Sequence, residues 1–311
     1  MSFRDAVAGR APDDQLAAAA DRGAPEPVDG DTWLERLPVL VQDHLERWDL
    51  RPDGPPRHGE CALVLPVLRR DDEPAALKLT WPHAEARHEH LALRLWDGRG
   101  AVRLLAADPR AGALLLERLD ASVCLRDRPL LEACEVIGEL MRELDRPATP
   151  QLDTVAVRAL RWREQLVPGS PLVPRRLTEQ ARTVLDQLLG ADGHTRLVHE
   201  DLHDLNVLAP LHPGRGTWLA IDPKPVAADW AYAVAPVVWN RPEEAARASN
   251  LRVHARLRAD LVAEAAGLEE DRVRAWTFVR LVLNAVWAAQ HAPASDEFGS
   301  RMIALAKAFA D

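Results

Sequence analysis

The stretch LVHEDLHDLNVLAP, residues 197–210, is compatible with two different folds. As His-Glu-x-x-His, with His199 and His203 as ligands, it matches a zinc-peptidase motif, which places two imidazoles on one face of a helix. As His-x-Asp-x-x-x-x-Asn, it matches the catalytic loop of a kinase, with Asp201 and Asn206 as the functional residues. The first interpretation needs a helix here, whereas the second needs a short strand followed by a loop.

The residue types in this stretch favour a loop. Asp201, Asp204 and Asn206 are weak helix formers, and Pro210 ends the segment. A third zinc ligand would have to come from residues at no compelling position: His212, Glu243 or Glu244. The composition of the stretch therefore favours the kinase interpretation.

A kinase needs further parts elsewhere in the chain. A second metal-binding carboxylate should end the next strand, and Asp222 follows the apolar run WLAI. A lysine for the nucleotide phosphates should lie on an early strand, and Lys78 lies within the apolar run AALKL. A glutamate that orients this lysine should come from the next helix, where Glu85 and Glu89 occur. Because these parts follow the expected order, we predict that they converge with the catalytic loop around a magnesium-bound triphosphate.

Hydrophobic patterning divides the chain into a strand-rich part and a helical part. Short apolar runs bounded by turn residues predict strands at 61–68, 74–81, 101–108 and 112–120, with a helix at 83–98. Later segments with helical spacing predict helices at 129–146, 177–190 and 271–290, with short strands at 195–200 and 216–223. An amphipathic segment at 31–50 is expected to be interrupted at Pro38.

Bulk properties restrict the class of protein. The net charge of −9 argues against nucleic-acid binding. Three widely spaced cysteines show no CxxC pair, so we expect a reducing, cytoplasmic environment. The N-terminal segment shows no signal peptide and no run of 18 apolar residues occurs, so we expect no membrane segment. We predict a monomer or weak homodimer.

Three segments of the chain, LVHEDLHDLNVL, WLAIDPKP and ADWAYAVAPVVWNR, resemble the aminoglycoside phosphotransferase superfamily, in its streptomycin 6-phosphotransferase and hydroxyurea kinase branch. The resemblance covers about residues 31–310. It implies an α+β, two-lobed protein-kinase-like fold with a small antiparallel N-lobe and a larger, mainly helical C-lobe. It also implies ATP and Mg²⁺ as cofactors and a small-molecule hydroxyl as acceptor, with antibiotic resistance as the outcome. The domains expected are a mobile arm at 1–30, the nucleotide-binding N-lobe at 31–120 and the helical C-lobe at 121–311.

The resemblance also implies a role for each matched residue. Asp201 corresponds to the catalytic aspartate, and Lys78 to the phosphate-binding lysine with Glu89, rather than Glu85, as its partner. The remaining matches are the Mg²⁺ ligands Asn206 and Asp222, and the adenine-binding hinge near Glu117 and Leu119. We predict acceptor contacts from flat and polar side chains of the helical part, although the tryptophans suit a core equally well: Trp239, Asn240, Arg280 and Trp287.

Some positions depart from the family pattern. Glu200 stands where the family usually has glycine, Leu205 replaces a frequent glycine, and Ala233 replaces a second aspartate. We expect the Glu200 side chain to point into solvent. The departures leave one alternative open, which is a non-catalytic, kinase-like nucleotide-binding protein.

Overall fold

A computed structural model of the chain describes residues 2–13, 25–167, 172–190, 195–291 and 297–310. These residues form two compact units. The first unit consists of Met1–Ser122 with Leu208–Pro225, and the second of Val123–Val207 with Val226–Asp311. Residues 208–225 therefore belong to the strand-rich unit, although a single cut of the sequence near residue 121 assigns them to the helical part.

The first unit is built on a six-stranded antiparallel sheet. Its strands are β1 (Arg51–Pro52), β2 (Arg57–His58), β3 (Ala62–Leu68), β4 (Pro74–Thr80), β5 (Leu104–Asp108) and β6 (Ala113–Glu117). They are ordered β1-β3-β4-β6-β5, and β2 also pairs with β3. The helices of this unit are α1 (Phe3–Val7), α2 (Gly30–Arg47) and α3 (Glu89–Trp96). A smaller sheet has the order β11-β10-β7 and contains β7 (Leu119–Cys124), β10 (Val207–Pro210) and β11 (Leu219–Ala220).

The four strands predicted between residues 61 and 120 are present, but the last one ends at Glu117, and Leu119 begins β7 of the other sheet. The helix predicted at 83–98 is shorter, with a 3₁₀ turn at Ala84–Ala86 before Glu89–Trp96. Strand β4 shows why this region folds as a sheet. Successive side chains of a strand point to opposite faces. Leu77 and Leu79 of β4 are buried on one face, where Leu79 packs against Trp33 of α2. Lys78 therefore points to the opposite face, between Val64 of β3 and Leu114 of β6.

The N-terminal segment is structured where we predicted a mobile arm. Residues Phe3–Val7 form α1, which Ser2 and Asp5 close with a capping box. Val7 is fully buried and packs in the cluster that contains Trp33. This burial accounts for the order of α1. Residues 14–24 of the predicted arm lie outside the described residues.

The predicted interruption at Pro38 is wrong, because α2 runs from Gly30 to Arg47 without a break. Asp29 caps the start by accepting a hydrogen bond from the Thr32 amide at 2.8 Å. Pro38 is exposed. The proline ring therefore lies on the solvent side of the helix, outside the core that Trp33 and Leu37 enter.

The second unit is mainly helical. Its helices are α4 (Leu130–Glu143), α5 (Val155–Gln165), α6 (Arg175–Gly190), α7 (Ala235–Trp239), α8 (Pro242–Arg247), α9 (Leu251–Ala266), α10 (Glu270–His291) and α11 (Glu297–Phe309). Three short strands, β8 (Arg146–Pro147), β9 (Arg196–His199) and β12 (Pro225–Ala228), pair in the order β12-β9-β8. The three predicted helices are confirmed as α4, α6 and α10. Within the described ranges, no helix is long and apolar enough to cross a membrane.

A glycine lets α4 and α9 approach closely in this unit. A methyl group at Gly138 would lie 2.6 Å from the Cβ of Ala265 and 2.8 Å from the carbonyl oxygen of Val262. We expect Gly138→Ala to lower the free energy of unfolding by about 1–3 kcal/mol through overpacking, despite the better helix propensity of alanine. Urea denaturation followed by circular dichroism measures the change. Gly190→Ala is the control because no atom lies within 4 Å of the added methyl; equal stability of both variants would contradict close packing at Gly138.

Candidate active site

The quoted stretch forms a strand and a loop. Strand β9 ends at His199, a turn follows at Glu200 and Asp201, and a 3₁₀ turn covers Asp204–Asn206. The zinc interpretation needed residues 199–203 in a helix, so it is wrong. Within the described part of the chain, no group of three or more histidine, cysteine, aspartate or glutamate side chains is arranged to hold a metal ion.

Side chains of the same loop fix the backbone of Asp201. The Asp201 amide donates to Nδ1 of His199 at 3.2 Å, and its carbonyl accepts from Nδ2 of Asn206 at 2.9 Å. Nδ2 of Asn206 also lies 3.3 Å from Nε2 of His203. The amide oxygen is the atom of Asn206 that these contacts do not use. As a hard oxygen donor, it has the chemistry of a Mg²⁺ ligand.

A buried ion pair anchors the C-terminal part of the loop. The Asp204 carboxylate accepts from Nε of Arg241 at 2.8 Å and from Nη1 of Arg126 at 3.3 Å. Arg241 has a left-handed backbone, with φ of 53°, and also donates to the carbonyls of Leu125 and Arg128. This ion pair has no signal in the sequence, because Asp204 and Arg241 lie 37 residues apart along the chain.

In the first unit, one lysine joins two carboxylates. Nζ of Lys78 lies 2.7 and 2.8 Å from the two carboxylate oxygens of Glu89, and it also donates to the Asp222 carboxylate. Lys78 and Glu89 are buried, whereas the Asp222 side chain is 48% exposed. Glu85, the other predicted partner, instead pairs with Lys224 at 3.4 Å. The strand lysine, the helix glutamate and the aspartate after β11 thus meet as the kinase interpretation requires.

The sequence matches a kinase family over most of its length. The model of the aminoglycoside/hydroxyurea antibiotic resistance kinases matches residues 47–292. The chain belongs to this family. It is 38% identical over 278 residues to a streptomycin 6-kinase of Streptomyces glaucescens, covering 88% of this chain and 89% of that protein. It is 41% identical over 266 residues to a hydroxyurea phosphotransferase of Kitasatospora aureofaciens, covering 83% and 75%.

The fold of this small-molecule kinase is also found in more distant structures. A choline/ethanolamine kinase family protein from Mesorhizobium loti superposes with a TM-score of 0.59 at 15% identity, covering 87% of this chain and 94% of that one. At this identity the likeness shows the fold alone. It confirms the predicted kinase-like architecture, with antiparallel sheets and a helical part.

The predicted hinge of the kinase contains one residue that is already engaged. The Glu117 amide donates to the carbonyl of Arg103 at 2.9 Å. Its carboxylate accepts from the Arg103 amide at 2.8 Å and from Nη2 of Arg215 at 2.6 Å. Glu117 therefore supports the strand end. Adenine contacts from the backbone near Glu117 and Leu119 stay predictions.

The predicted acceptor residues do not share one environment. The Arg280 guanidinium lies 5.0 Å from the ring centroid of Trp239. The Asn240 amide nitrogen donates to the carbonyl of Pro236 at 2.8 Å. Trp287 is 53% exposed and stacks on a neighbouring histidine of its own helix. Contacts between an acceptor and any of the four residues, Trp239, Asn240, Arg280 and Trp287, stay predictions.

The Glu200 side chain is buried, so the expectation that it faces solvent is wrong. It is 9% exposed, and its carboxylate accepts hydrogen bonds from Arg158 and from the hydroxyl of Tyr232. Nη2 of Arg280 lies 3.6 Å away. Burial opposes ionisation, but Arg158 and Arg280, together with the hydrogen bonds, hold the pKa of Glu200 below its ordinary value. Arg158 and Tyr232 were not predicted as partners of Glu200, and the glutamate in place of the family's glycine is the signal in the sequence that points to this contact.

The pKa values of the buried Lys78 and Glu89 are both raised, and one cation is shared by two carboxylates. Burial raises the pKa of Glu89 to about 7, with Lys78 opposing the shift and Asp222 adding to it. Burial disfavours the charge of Lys78, but Asp222 and Glu89 together raise the pKa of Lys78 above its ordinary value. The lysine thus keeps its proton, and Glu89 takes up a proton more readily than an exposed glutamate.

This raised pKa predicts a dependence of stability on pH. The folded-state pKa of Glu89 lies above the ordinary 4.5. The contribution of protonated Glu89 to the free energy of unfolding is therefore fully present below about pH 4.5 and is lost as the pH rises through about 7. The free energy of unfolding of the wild type should therefore fall, relative to Glu89→Gln, across this window. Urea titrations at several pH values measure the difference, with the exposed Glu139→Gln as control. A difference that stays constant with pH would contradict the prediction.

Proposed function

We propose that this kinase transfers the γ-phosphate of ATP to a hydroxyl group of an aminoglycoside of the streptomycin type or of hydroxyurea, and so confers antibiotic resistance. The observation that carries the proposal is the contact of Lys78 with Glu89 and Asp222. A buried lysine held by a helix glutamate is the arrangement that binds nucleotide phosphates in kinases. The two acceptors are those named for the similar proteins.

Phosphoryl transfer depends on positioning and charge neutralisation more than on covalent chemistry. Lys78 supplies a fixed cation for the phosphates, because Glu89 restrains its flexible stem. Asp222 and Asn206 are the proposed Mg²⁺ ligands, since a carboxylate and an amide oxygen are hard donors. When bound, Mg²⁺ offsets negative charge on the phosphates.

Asp201 is the proposed acceptor of the hydroxyl proton. Its carboxylate is 23% exposed, so a hydroxyl can reach it, while His199 and Asn206 hold its backbone. A base that is held in place and accessible can orient the attacking oxygen and accept its proton as the bond to phosphorus forms.

A transfer assay tests the proposed function. The purified protein is incubated with γ-labelled ATP, Mg²⁺ and either streptomycin, other aminoglycosides or hydroxyurea. We expect label on one of these acceptors and no transfer when a chelator removes Mg²⁺. Reactions without acceptor control for ATP hydrolysis. Nucleotide binding in calorimetry without transfer to any acceptor would instead support the non-catalytic, nucleotide-binding alternative.

A further inference from the structure

The peptide group that joins Glu200 to Asp201 is held from both sides. Nη1 of Arg280 donates to the carbonyl oxygen of Glu200 at 3.1 Å. On the other side of this peptide, the Asp201 amide donates to Nδ1 of His199 at 3.2 Å. A peptide group with both polar atoms bonded to buried or half-buried side chains has little freedom to rotate. The direction in which the Asp201 side chain leaves the backbone is fixed with it.

Arg280 is itself held in place by its surroundings. Its guanidinium lies 4.4 Å from the ring centroid of Tyr232 and 5.0 Å from that of Trp239. Nη1 also donates to the carbonyl of Tyr232 at 3.2 Å. Stacking on two rings and bonding to two carbonyls uses the planar guanidinium in a way that a lysine cannot reproduce. The position of Arg280 is thus set by the rings, by the carbonyls and by the charge of Glu200.

The Glu200 carboxylate lies at the centre of a cluster formed with Arg158, Tyr232 and Arg280. Arg158 and the Tyr232 hydroxyl bind this carboxylate, and Arg280 lies near it while bonding to the backbone carbonyl of the same residue. The cluster contains two guanidiniums and one carboxylate. Loss of the carboxylate charge would leave two half-buried cations with no neutralising partner in the cluster, and their repulsion would displace Arg280 from the peptide.

We infer that Glu200 and Arg280 are positioning residues, which hold the Asp201 carboxylate at the angle and depth needed to accept the acceptor proton. The inference rests on the proposed role of Asp201. It explains why glutamate stands at position 200 in place of the family's usual glycine. A buried, charge-paired side chain restrains the backbone at a position where glycine would leave it free. Both residues act through Asp201 in this assignment, since Arg280 donates to the carbonyl of the peptide that precedes Asp201, and Glu200 lies 3.6 Å from Arg280.

Glu200→Gln tests the inference by removing the charge and keeping the shape. A small misplacement of a catalytic group costs about 10²-fold in rate, so we expect kcat to fall by about that factor. The KM for ATP should stay within about twofold of the wild-type value, because Lys78 and its partners are unchanged. If Glu200→Gln does not fold, Arg280→Lys removes the bridging geometry while keeping the charge, and kcat should fall in the same way.

Asp145→Asn is the matched control for lost ion pairing in the same unit. Asp145 accepts two hydrogen bonds from Arg196, at 2.6 and 2.8 Å, and one from Trp230 at 3.0 Å. Asp145→Asn should lower the melting temperature and leave kcat unchanged. Equal kcat in Glu200→Gln and the wild type, or an equal loss of kcat in Asp145→Asn, would overturn the inference.

A second measurement needs no turnover, and it separates this inference from the proposed function. Amide hydrogen exchange of peptides that cover residues 197–206 should become faster in Glu200→Gln than in the wild type or in Asp145→Asn. Unchanged exchange would overturn the inference even in an active enzyme. If the wild type transfers phosphate to no acceptor and Glu200→Gln still shows faster exchange than the wild type, the proposed function is refuted and the positioning contact is not.

Discussion

Replacing Asp201 by asparagine is expected to lower kcat by about 10²–10⁴-fold, which is the range for loss of a general base. The asparagine keeps the size of the side chain and the backbone contacts with His199 and Asn206. It has no site for the proton of the attacking hydroxyl. Steady-state kinetics with ATP and the acceptor identified by the transfer assay measure the change. The KM for ATP should change little, because Asp201 is not a proposed nucleotide ligand.

A second aspartate in the same unit provides the control for this prediction. Asp186 pairs with Arg163 at 2.7 Å, and both side chains are at least 40% exposed. Asp186→Asn should keep the wild-type kcat. An Asp201→Asn variant that keeps a wild-type kcat would show that another group accepts the proton, and would remove the catalytic role from the loop.

The second large effect is expected at Lys78. Lys78→Met leaves Glu89 buried beside Asp222 without a cation. Breaking a buried ion pair from one side costs about 3–5 kcal/mol, so the free energy of unfolding should fall by this amount near neutral pH. Phosphoryl transfer should also be lost, since the fixed cation for the phosphates is removed.

A double variant separates these two roles of Lys78. In Lys78→Met with Glu89→Met, apolar side chains of similar length replace the buried pair, and Asp222 is exposed enough to be solvated. Replacing both members of a buried pair is often neutral for stability. We therefore expect the double variant to recover most of the lost stability and to stay inactive. Recovery of activity would mean that Lys78 serves the fold alone.

Lys224→Met provides the stability control for this pair of variants. Its contact with Glu85 is 3.4 Å long, and the two side chains are 31% and 54% exposed. An exposed pair of this kind contributes about 0–1 kcal/mol. A loss in Lys224→Met as large as that in Lys78→Met would show that burial is not the cause of the larger effect.

The sequence was informative where a functional residue breaks a local pattern. Lys78 is recognisable because it interrupts an apolar run with strand character. The following helical segment offered both Glu85 and Glu89, and the family resemblance favoured Glu89. The spacing of Asp201 and Asn206 is local, and the density of aspartate and asparagine there disfavours a helix. Each of these signals lies within a few residues of the position it identifies.

The contacts among Glu200, Arg158, Tyr232 and Arg280 have no such local signal in the sequence. Arg158 lies 42 residues from Glu200, and Arg280 lies 80 residues from it. Neither arginine disturbs the periodicity of its helix, and a buried arginine has the same letter as an exposed one. Long separation along the chain is also why the sequence did not predict that residues 208–225 belong to the first unit. Their membership is carried by distant pairings such as that of the Val102 amide with the Ala220 carbonyl at 2.9 Å.

The left-handed backbone of Asp222, with φ of 54°, limits how this enzyme can change. Glycine, asparagine and aspartate tolerate that conformation, whereas branched or bulky side chains are strained in it. The replacements that spare the backbone are thus the two that delete the carboxylate. We therefore expect Asp222→Asn and Asp222→Gly to keep the fold and to lose phosphoryl transfer, because the carboxylate proposed to bind Mg²⁺ is removed.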